Sequence, residues 1–261
     1  MRWHIGLMTG TVLDGNIDVA LLRTDGQIIE EFGYYNLMPY DEEVKDLLIK
    51  AIDEARIWNF NGPEPELFSK TEAALTNSQI AAVQKCIKLS GLDKNKIGAI
   101  GFHGQTVLHK PPSKSSKGKT RQLGDGQKMA NKLGIPVVYD FRTKDIKEGG
   151  QGAPLCPIYH SALLKKIGAA PTTAILNLGG LGNLSCYSEK YGLIAFDTGP
   201  ANAPINDWIK SFNIGQMDLD GEIAARGKVD ENKLAAILNN PYFKAPFPKS
   251  LDRFDFSYKI A

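Results

Sequence analysis

The sequence has few cysteines and no long apolar run. Its three cysteines, Cys86, Cys156 and Cys186, are unevenly spaced and form no CxxC pair, which argues against both a disulfide framework and a structural zinc site. No segment approaches the ~18 apolar residues of a spanning helix, and the first residues, MRWHIGLMTGT, lack a basic region followed by an apolar one. We therefore expect a reducing, cytoplasmic location, no export and no membrane partner.

The chain also lacks an excess of charge of either sign. Its 31 Lys and Arg and 29 Asp and Glu give a net charge of +2, with no basic stripe interleaved with aromatic residues. The basic residues of 114–121 are typical of a solvated loop, so nucleic acid is not an expected partner. The P-loop signature and the protein-kinase glycine loop are absent as well. The 261 residues, 43% of them apolar and 23% charged, predict a globular protein with room for two α/β lobes.

Strand patterns alternate with helix patterns along the chain. In the first part the predicted strands are 3–8, 17–23, 27–35, 97–102 and 135–139, and the predicted helices are 41–55, 66–90 and 125–133. The first three strands form a meander, and the last two are apolar enough to be buried. The second part has predicted strands at 172–178, 184–188 and 193–196, predicted helices at 205–212 and 233–238, and an irregular end over 241–261. This duplicated plan predicts an α/β protein with two lobes, 1–168 and 169–261, that face one ligand site.

The segment 140–157, DFRTKDIKEGGQGAPLCP, is the strongest candidate for a functional site. It combines Asp140, Arg142, Asp145 and Glu148 with three glycines, which allow positive φ and a close approach to a ligand. Asp145 taken alone is either a helix N-cap, a structural partner of Arg142 or a functional carboxylate. Arg142 either binds a phosphate or carboxylate through a bidentate contact or orients Asp140.

Three glycine turns that follow predicted strands have the polar groups of phosphate sites. Their candidate residues are Gly10, Thr11, Val12, Leu13, Asp14, Gly15, Asn16 and Ile17 in the first turn, Gly179, Gly180 and Asn183 in the second, and Asp197 and Gly199 in the third. Backbone N–H groups in such turns form anion-binding nests, although Asp-Gly hairpins between strands are common without any ligand. Asp14 is a candidate Mg²⁺ ligand. Together the turns favour phosphoryl transfer, in which catalysis depends on positioning and electrostatic stabilisation.

Seven motifs carry a resemblance to a known family. They are GLMTGTVLDGNIDVALL, GFHGQTVLH, RQLGDG, VVYDFRTKDIKEGGQGAPLCP, LNLGGLGN, FDTGPAN and PKSLDRFDF, in this order over the whole chain. The set resembles the anhydro-N-acetylmuramic acid kinases, which are sugar kinases of the acetate kinase/hexokinase/actin-like ATPase superfamily. GGQGAPL is typical of the anhydro-sugar branch and argues against another sugar or acid kinase. The resemblance implies a two-lobed, actin-like (ribonuclease H-like) fold of mixed sheets flanked by helices.

The resemblance also implies an activity and its residues. The family uses ATP and Mg²⁺ to open the 1,6-anhydro ring of anhydro-N-acetylmuramic acid with water and phosphorylate O6, giving N-acetylmuramic acid 6-phosphate and ADP in peptidoglycan recycling. The family's general base falls on Asp145, and Asp197 matches a second phosphate-loop acid that, with Asp14, would hold Mg²⁺. The implied sugar contacts are His103, Gln105, Gln122, Arg142, Gln151 and Gly152. A surface hairpin explains Thr120 and Gln122 equally well, and a structural hydrogen bond is the alternative for His103.

Two departures from the family pattern concern the nucleotide. Where the family reads M-S-G-T-S-x-D-G-x-D, this chain has Thr9 and Val12 for the two serines and one extra residue between Gly15 and Asp18. Family members also continue beyond PKS-x-x-R-x-x-F to an adenosine loop, G-G-G-x-x-N, whereas this sequence ends at Ala261. The expectation is a second lobe truncated before that loop, with an inactive chain that retains at most sugar or partner binding as the alternative. A homodimer is compatible with the family and is not indicated by any residue pattern.

Overall fold

The computed structural model describes residues 1–9, 15–113, 116–251 and 256. The chain divides into two compact units, Met1–Gly168 and Ala169–Ala261. Both contain helices and sheets, so the α/β class is confirmed. Among the described residues, no helix has the length and apolar character needed to cross a membrane.

The first unit is built on a five-stranded sheet and a separate hairpin. Its strands are β1 (Arg2–Thr9), β2 (Asn16–Thr24), β3 (Ile29–Pro39), β4 (Ile97–Phe102), β5 (Gln105–Lys110), β6 (Lys119–Leu123) and β7 (Val137–Tyr139). Its helices are α1 (Glu42–Trp58), α2 (Leu67–Ser90), α3 (Gly126–Leu133), α4 (Phe141–Lys147) and α5 (Pro157–Lys166), with a 3₁₀ turn at Lys94–Lys96. The sheet order is β3-β2-β1-β4-β7, and β5 pairs with β6. The predicted meander and the three predicted helices are confirmed.

The sheet directs three strand ends to one edge. β1 and β4 are parallel, with Leu7 opposite Phe102, and β7 is parallel to β4. In β1, Ile5, Leu7 and Thr9 are buried and the residues between them are exposed, because alternate side chains point to opposite faces of a strand. One face of the sheet therefore packs on the helices, and the carboxyl ends of β1, β4 and β7 share the edge at which α/β sheets bind ligands.

Two expectations for the first unit need correction. The strand predicted to be buried at 135–139 is β7, the last strand of the sheet, and Val138 and Tyr139 are 57% and 42% exposed. The segment 140–157, expected as a glycine bend, contains α4 and the start of α5. With only seven residues, α4 is too short to show a helical period.

The second unit is a three-stranded antiparallel sheet with short helices. Its strands are β8 (Ile175–Leu178), β9 (Leu181–Ser188) and β10 (Gly192–Pro200), in the order β10-β9-β8. Its helices are α6 (Asn202–Ser211), α7 (Glu222–Arg226), α8 (Glu231–Leu238) and α9 (Pro241–Lys244), with a 3₁₀ turn at Leu219–Gly221. The predicted strands and helices of this unit are confirmed, whereas the end expected to be irregular contains α9, whose first turn is capped by Asn240.

The glycine turns predicted in the second unit are mostly strand. Asn183 lies in β9, opposite Asn177 of β8 and Asp197 of β10. DTGP is the end of β10 and not a turn, with a register irregularity between Asp197 and Gly199. Sheet pairing continues through these polar and glycine residues, so of the candidates Gly179, Gly180 and Asn183 only the two glycines lie outside the strands.

Candidate functional site

Asp145 lies in α4, the helix that follows β7. Its carboxylate is held by the glycine loop, residues 148–152, which follows α4. Asp140 takes left-handed φ and ψ of 53° and 51° at the start of this helix. The Oδ2 atom of Asp145 accepts a hydrogen bond of 2.7 Å from the backbone N–H of Gly152. The N–H of Gly150 donates to the backbone carbonyl of Asp145 at 2.8 Å. The loop thus folds back on the helix end and leaves the Asp145 side chain exposed.

Two glycines of this loop are required by close contacts. A Cβ on Gly150 would lie 2.2 Å from Oδ2 and 2.5 Å from Oδ1 of Asp145. At Gly152, where φ is +68°, a Cβ would lie 2.9 Å from Cγ1 of Ile146 and 3.1 Å from Cε1 of His109. Only glycine therefore lets the loop approach the carboxylate this closely.

Arg142 joins the glycine loop to two strands. It lies three residues before Asp145, so the two side chains share one face of α4. Its Nη1 donates to the carbonyl of Gly152 at 2.6 Å, its Nη2 to Nε2 of His103 at 2.9 Å, and its Nε to Oγ1 of Thr106 at 3.3 Å. The guanidinium thus fixes the loop to the residues that follow β4 and to β5. The Oδ1 atom of Asp140 accepts a hydrogen bond of 2.6 Å from the hydroxyl of Thr143.

His103 is a buried, neutral histidine. Its Nε2 accepts the hydrogen bond from Arg142, so Nδ1 carries the proton and donates to the carbonyl of Gly104 at 2.8 Å. Burial, and then the nearby Arg142 cation, lower the pKa of His103 to about 4. The structure therefore supports the structural hydrogen-bonding alternative for this residue.

The hairpin of β5 and β6 contributes two buried glutamines that the sequence predicted, Gln105 and Gln122. It also contributes a buried histidine, His109, that sequence reasoning missed. Nε2 of Gln122 donates to the carbonyl of His103 at 3.0 Å, and its Oε1 accepts from the N–H of Arg142 at 3.4 Å. Gln105 is 1% exposed, and its Oε1 accepts no hydrogen bond from a described residue. His109 is 8% exposed, and burial followed by the Arg142 cation lowers its pKa to about 4. Strand alternation could not mark His109, because a register shift between Thr106 and Leu108 interrupts it: Gln105 pairs with Leu123, whereas His109 pairs with Thr120 on the other face.

A pocket of about 300 Å³ lies on the other side of α4 from Asp145. It is lined by Glu72, Thr120, Arg121, Gln122, Gly124, Asp125, Tyr139, Asp140 and Thr143. At about 100° per residue, Thr143 and Asp145 point to nearly opposite sides of the helix. Arg121 is fixed at this pocket by two bonds of 2.8 and 3.0 Å to Glu64. Thr120 and Gln122 line the pocket, and Arg142, Asp145 and Gly152 lie together on the other side of α4. Gln122 also bonds to the Arg142 backbone and the His103 carbonyl, so it joins the two groups.

The first of the predicted phosphate turns lies partly outside the described residues. Gly10, Thr11, Val12, Leu13 and Asp14 lie outside the described residues. Gly15 has φ of +89°, and its carbonyl accepts from the N–H of Tyr40 at 2.8 Å. Asn16 and Ile17 begin β2, and Ile17 is 2% exposed, so its side chain belongs to the core. Gln151, which lies between Gly150 and Gly152 in the sequence, is half-buried.

The remaining candidates lie in the second unit and have structural partners. The carbonyls of Gly179 and Gly180 accept from the backbone N–H groups of 201–203 at 2.9–3.2 Å, at the start of α6. A Cβ on Gly199 would lie 2.9 Å from the ring of Phe243. The ring of Phe243 thus accounts for glycine at position 199, and the carbonyl bonds join Gly179 and Gly180 to the start of α6.

Asp197 is held within the second unit. It is 5% exposed, its Oδ2 accepts from the N–H of Leu251 at 2.8 Å, and its carbonyl accepts from the hydroxyl of Tyr242 at 2.7 Å. Among the described residues, no group of three or more His, Cys, Asp or Glu side chains could hold a metal. Mg²⁺ prefers carboxylates that are accessible to water and substrate phosphates. The geometry of Asp197 therefore does not fit the expected Mg²⁺ site.

The chain is similar to one family over nearly its whole length. A family model described as anhydro-N-acetylmuramic acid kinase matches residues 2–260. Three proteins named anhydro-N-acetylmuramic acid kinase also match this chain over 259 residues. Those from Brucella anthropi, Rhizobium rhizogenes and Mesorhizobium japonicum are 58%, 56% and 53% identical to it, respectively. Each match covers 99% of this chain and 70% of the relative.

Proposed function

The chain belongs to the anhydro-N-acetylmuramic acid kinase family, and from this premise we propose how its residues take part in the reaction. Its activity is that of an anhydro-N-acetylmuramic acid kinase, an ATP-dependent phosphotransferase of cell-wall recycling. The high identity to these relatives favours the kinase over the alternative of an inactive binding chain.

Asp145 acts as the general base. Its carboxylate takes a proton from the water whose oxygen forms a bond to the anomeric carbon of the sugar. The bond from that carbon to O6 breaks, and O6 forms a bond to the γ-phosphorus of ATP while ADP leaves. The products are N-acetylmuramic acid 6-phosphate, ADP and the proton held by Asp145. A carboxylate within reach of the reacting water is suited to this task.

The single observation that carries this proposal is the asymmetric environment of the Asp145 carboxylate. Oδ2 is fixed by the N–H of Gly152 at 2.7 Å, whereas no described residue donates a hydrogen bond to Oδ1. One oxygen thus sets the orientation of the side chain, and the exposed other is available to a water. A base held in one geometry contributes more than a mobile one, because catalysis depends on alignment within hydrogen-bond reach.

Arg142, His103 and Gln122 form the frame behind this base, and Gln105, Gln151 and Gly152 contact the sugar. The frame is supported by the bonds of Arg142 to Gly152 and His103 and of Gln122 to the His103 carbonyl. Gln151 and Gly152 lie beside Asp145 in the chain fold, and Gln105 retains a free acceptor oxygen; these three are the proposed sugar contacts. Residues 10–17, which follow β1 in the sequence, are the proposed phosphate site.

The other proposals rest on the family alone. They are the two-lobed actin-like fold, the role of Gly179, Gly180, Asn183 and Gly199 near ATP, a cytoplasmic location, and a homodimer. For Mg²⁺ the described residues offer no fitting set, and no step above depends on it.

The test of the base is Asp145→Asn, which keeps the size of the side chain and removes its basicity. We expect sugar-dependent ADP formation to fall by 10²-fold or more, with the KM for ATP little changed. The matched control is Asp53→Asn, an exposed aspartate inside α1, which should leave turnover unchanged. Turnover by Asp145→Asn within a few-fold of wild type would refute the assignment.

A further inference from the structure

The hydroxyl of Thr9, the last residue of β1, is held by two residues from elsewhere in the first unit. Nε2 of Gln79, in α2, lies 2.7 Å from Oγ1 of Thr9 and 2.8 Å from the hydroxyl oxygen of Tyr40. The oxygens of Tyr40 and Thr9 lie 3.1 Å apart. One side-chain amide from the middle of a helix thus joins the end of β1 to the residue that follows β3.

This polar cluster is buried in an apolar core. Gln79, Thr9 and Tyr40 are 0%, 1% and 7% exposed, and Leu7 and Leu48 belong to the same core. Polar groups are costly to bury and are retained where their hydrogen bonds fix a geometry. Oε1 of Gln79 is itself buried with no hydrogen-bond partner, so an apolar residue would satisfy the packing at less cost. The role of the Gln79 amide therefore lies in the hydrogen bonds that its Nε2 makes to the hydroxyls of Thr9 and Tyr40.

We propose that Gln79 is a positioning residue for the nucleotide half of the reaction. By holding the Thr9 hydroxyl, it fixes the end of β1, from which the chain continues to the proposed phosphate-binding residues 10–17. The hydroxyl of Thr9 is then an anchor inside the core and not a phosphate contact, which explains how threonine serves at this position. The inference rests on the proposed assignment of residues 10–17 to the ATP phosphates.

The experiment compares Gln79→Leu, Thr9→Val and Thr9→Ser in steady-state assays with both substrates varied. Gln79→Leu and Thr9→Val should each raise the KM for ATP by about tenfold, while the KM for the anhydro sugar stays within about twofold. Thr9→Ser keeps the hydroxyl and should behave as wild type. The double variant should be no worse than the poorer single variant, because both changes break one network. Gln127→Leu, an exposed glutamine of α3, is the control and should change nothing.

Asp14→Asn distinguishes the positioning role of Gln79 from the assignment of residues 10–17 to the ATP phosphates. If Asp14→Asn weakens ATP use and neither Gln79→Leu nor Thr9→Val does, the positioning role is wrong and the phosphate turn stands. If none of the three changes the KM for ATP, the assignment of residues 10–17 to the phosphates fails, and the inference fails with it. Equal losses for ATP and sugar in Thr9→Val would also overturn the inference, since they would indicate a general structural role. If Gln79→Leu does not fold, the KM for ATP of Thr9→Val compared with that of Thr9→Ser still tests the positioning role.

Discussion

The carboxylate of Asp145 and the backbone N–H of Gly152 are joined by a hydrogen bond of 2.7 Å. This bond connects an exposed side chain of α4 to a glycine that Arg142 also holds through its carbonyl, at 2.6 Å. The position of the proposed base thus depends on how closely the loop approaches the helix.

Gly150→Ala tests that dependence. The new Cβ would lie 2.2–2.5 Å from the carboxylate atoms of Asp145, and the short side chain would rotate away from the Gly152 N–H. We expect kcat to fall by about tenfold or more with little change in the melting temperature. Gly6→Ala is the matched control, since a Cβ there has no neighbour closer than 4.0 Å. Wild-type kcat for Gly150→Ala would show that the loop does not position Asp145.

Arg142→Lys should release the loop from the strands. A lysine keeps the charge but cannot donate along three directions in one plane, so the bonds to Gly152, His103 and Thr106 cannot all be made. We expect a loss of about 1–3 kcal/mol in the free energy of unfolding, measured by urea titration, together with reduced kcat. Arg56→Lys, an exposed change on α1, should alter neither. Full stability in Arg142→Lys would mean that one of the three bonds suffices.

The two buried histidines predict a pH dependence of stability. The pKa values of His103 and His109 lie at about 4 in the folded protein, against 6.5 when unperturbed. Between these values the unfolded chain binds protons that the folded chain does not, so stability is complete above pH 6.5 and falls as the pH drops toward 4. At 1.36 kcal/mol per pKa unit, each histidine contributes about 3 kcal/mol over this window.

His109→Leu isolates one of these contributions. The variant should show a shallower decline of unfolding free energy between pH 6.5 and 4 than wild type, measured by urea titrations at several pH values. A slope equal to that of wild type would contradict the assignment of a neutral, buried His109.

Elements defined by local pattern were predictable from the sequence. The meander of β1 to β3 and the helices α1, α2 and α3 follow from Asp-Gly turns, apolar periodicity and a closing Gly91, whose φ of 65° ends α2. By contrast, α4 has seven residues, and the DTGP segment looks like a turn because only the partner strand β9 shows that pairing continues through it.

The candidate site divides in the same way. Asp145 and the glycines are visible as a motif, but the role of each glycine appears only when Gly150 is seen against the Asp145 carboxylate. Gln79 could not be found, because its partner Thr9 is 70 residues away and an isolated glutamine in a helix carries no signal. Long-range hydrogen bonds of single polar residues leave no period in the sequence.

A comparison of Asp197→Ala with Asp197→Asn should show that Asp197 has a structural role. Asp197→Ala leaves the buried N–H of Leu251 without its acceptor at 2.8 Å, and an unsatisfied buried donor costs about 1–3 kcal/mol. Asp197→Asn retains an amide oxygen that can accept the same bond, so it should stay within about 1 kcal/mol of wild type and keep its kcat. Urea unfolding followed by the fluorescence of Trp208, in the same unit, measures the first effect, and ADP formation measures the second. A magnesium ligand would behave differently, because asparagine cannot replace the negative charge; a stable but inactive Asp197→Asn would therefore restore the metal assignment and exclude the structural one.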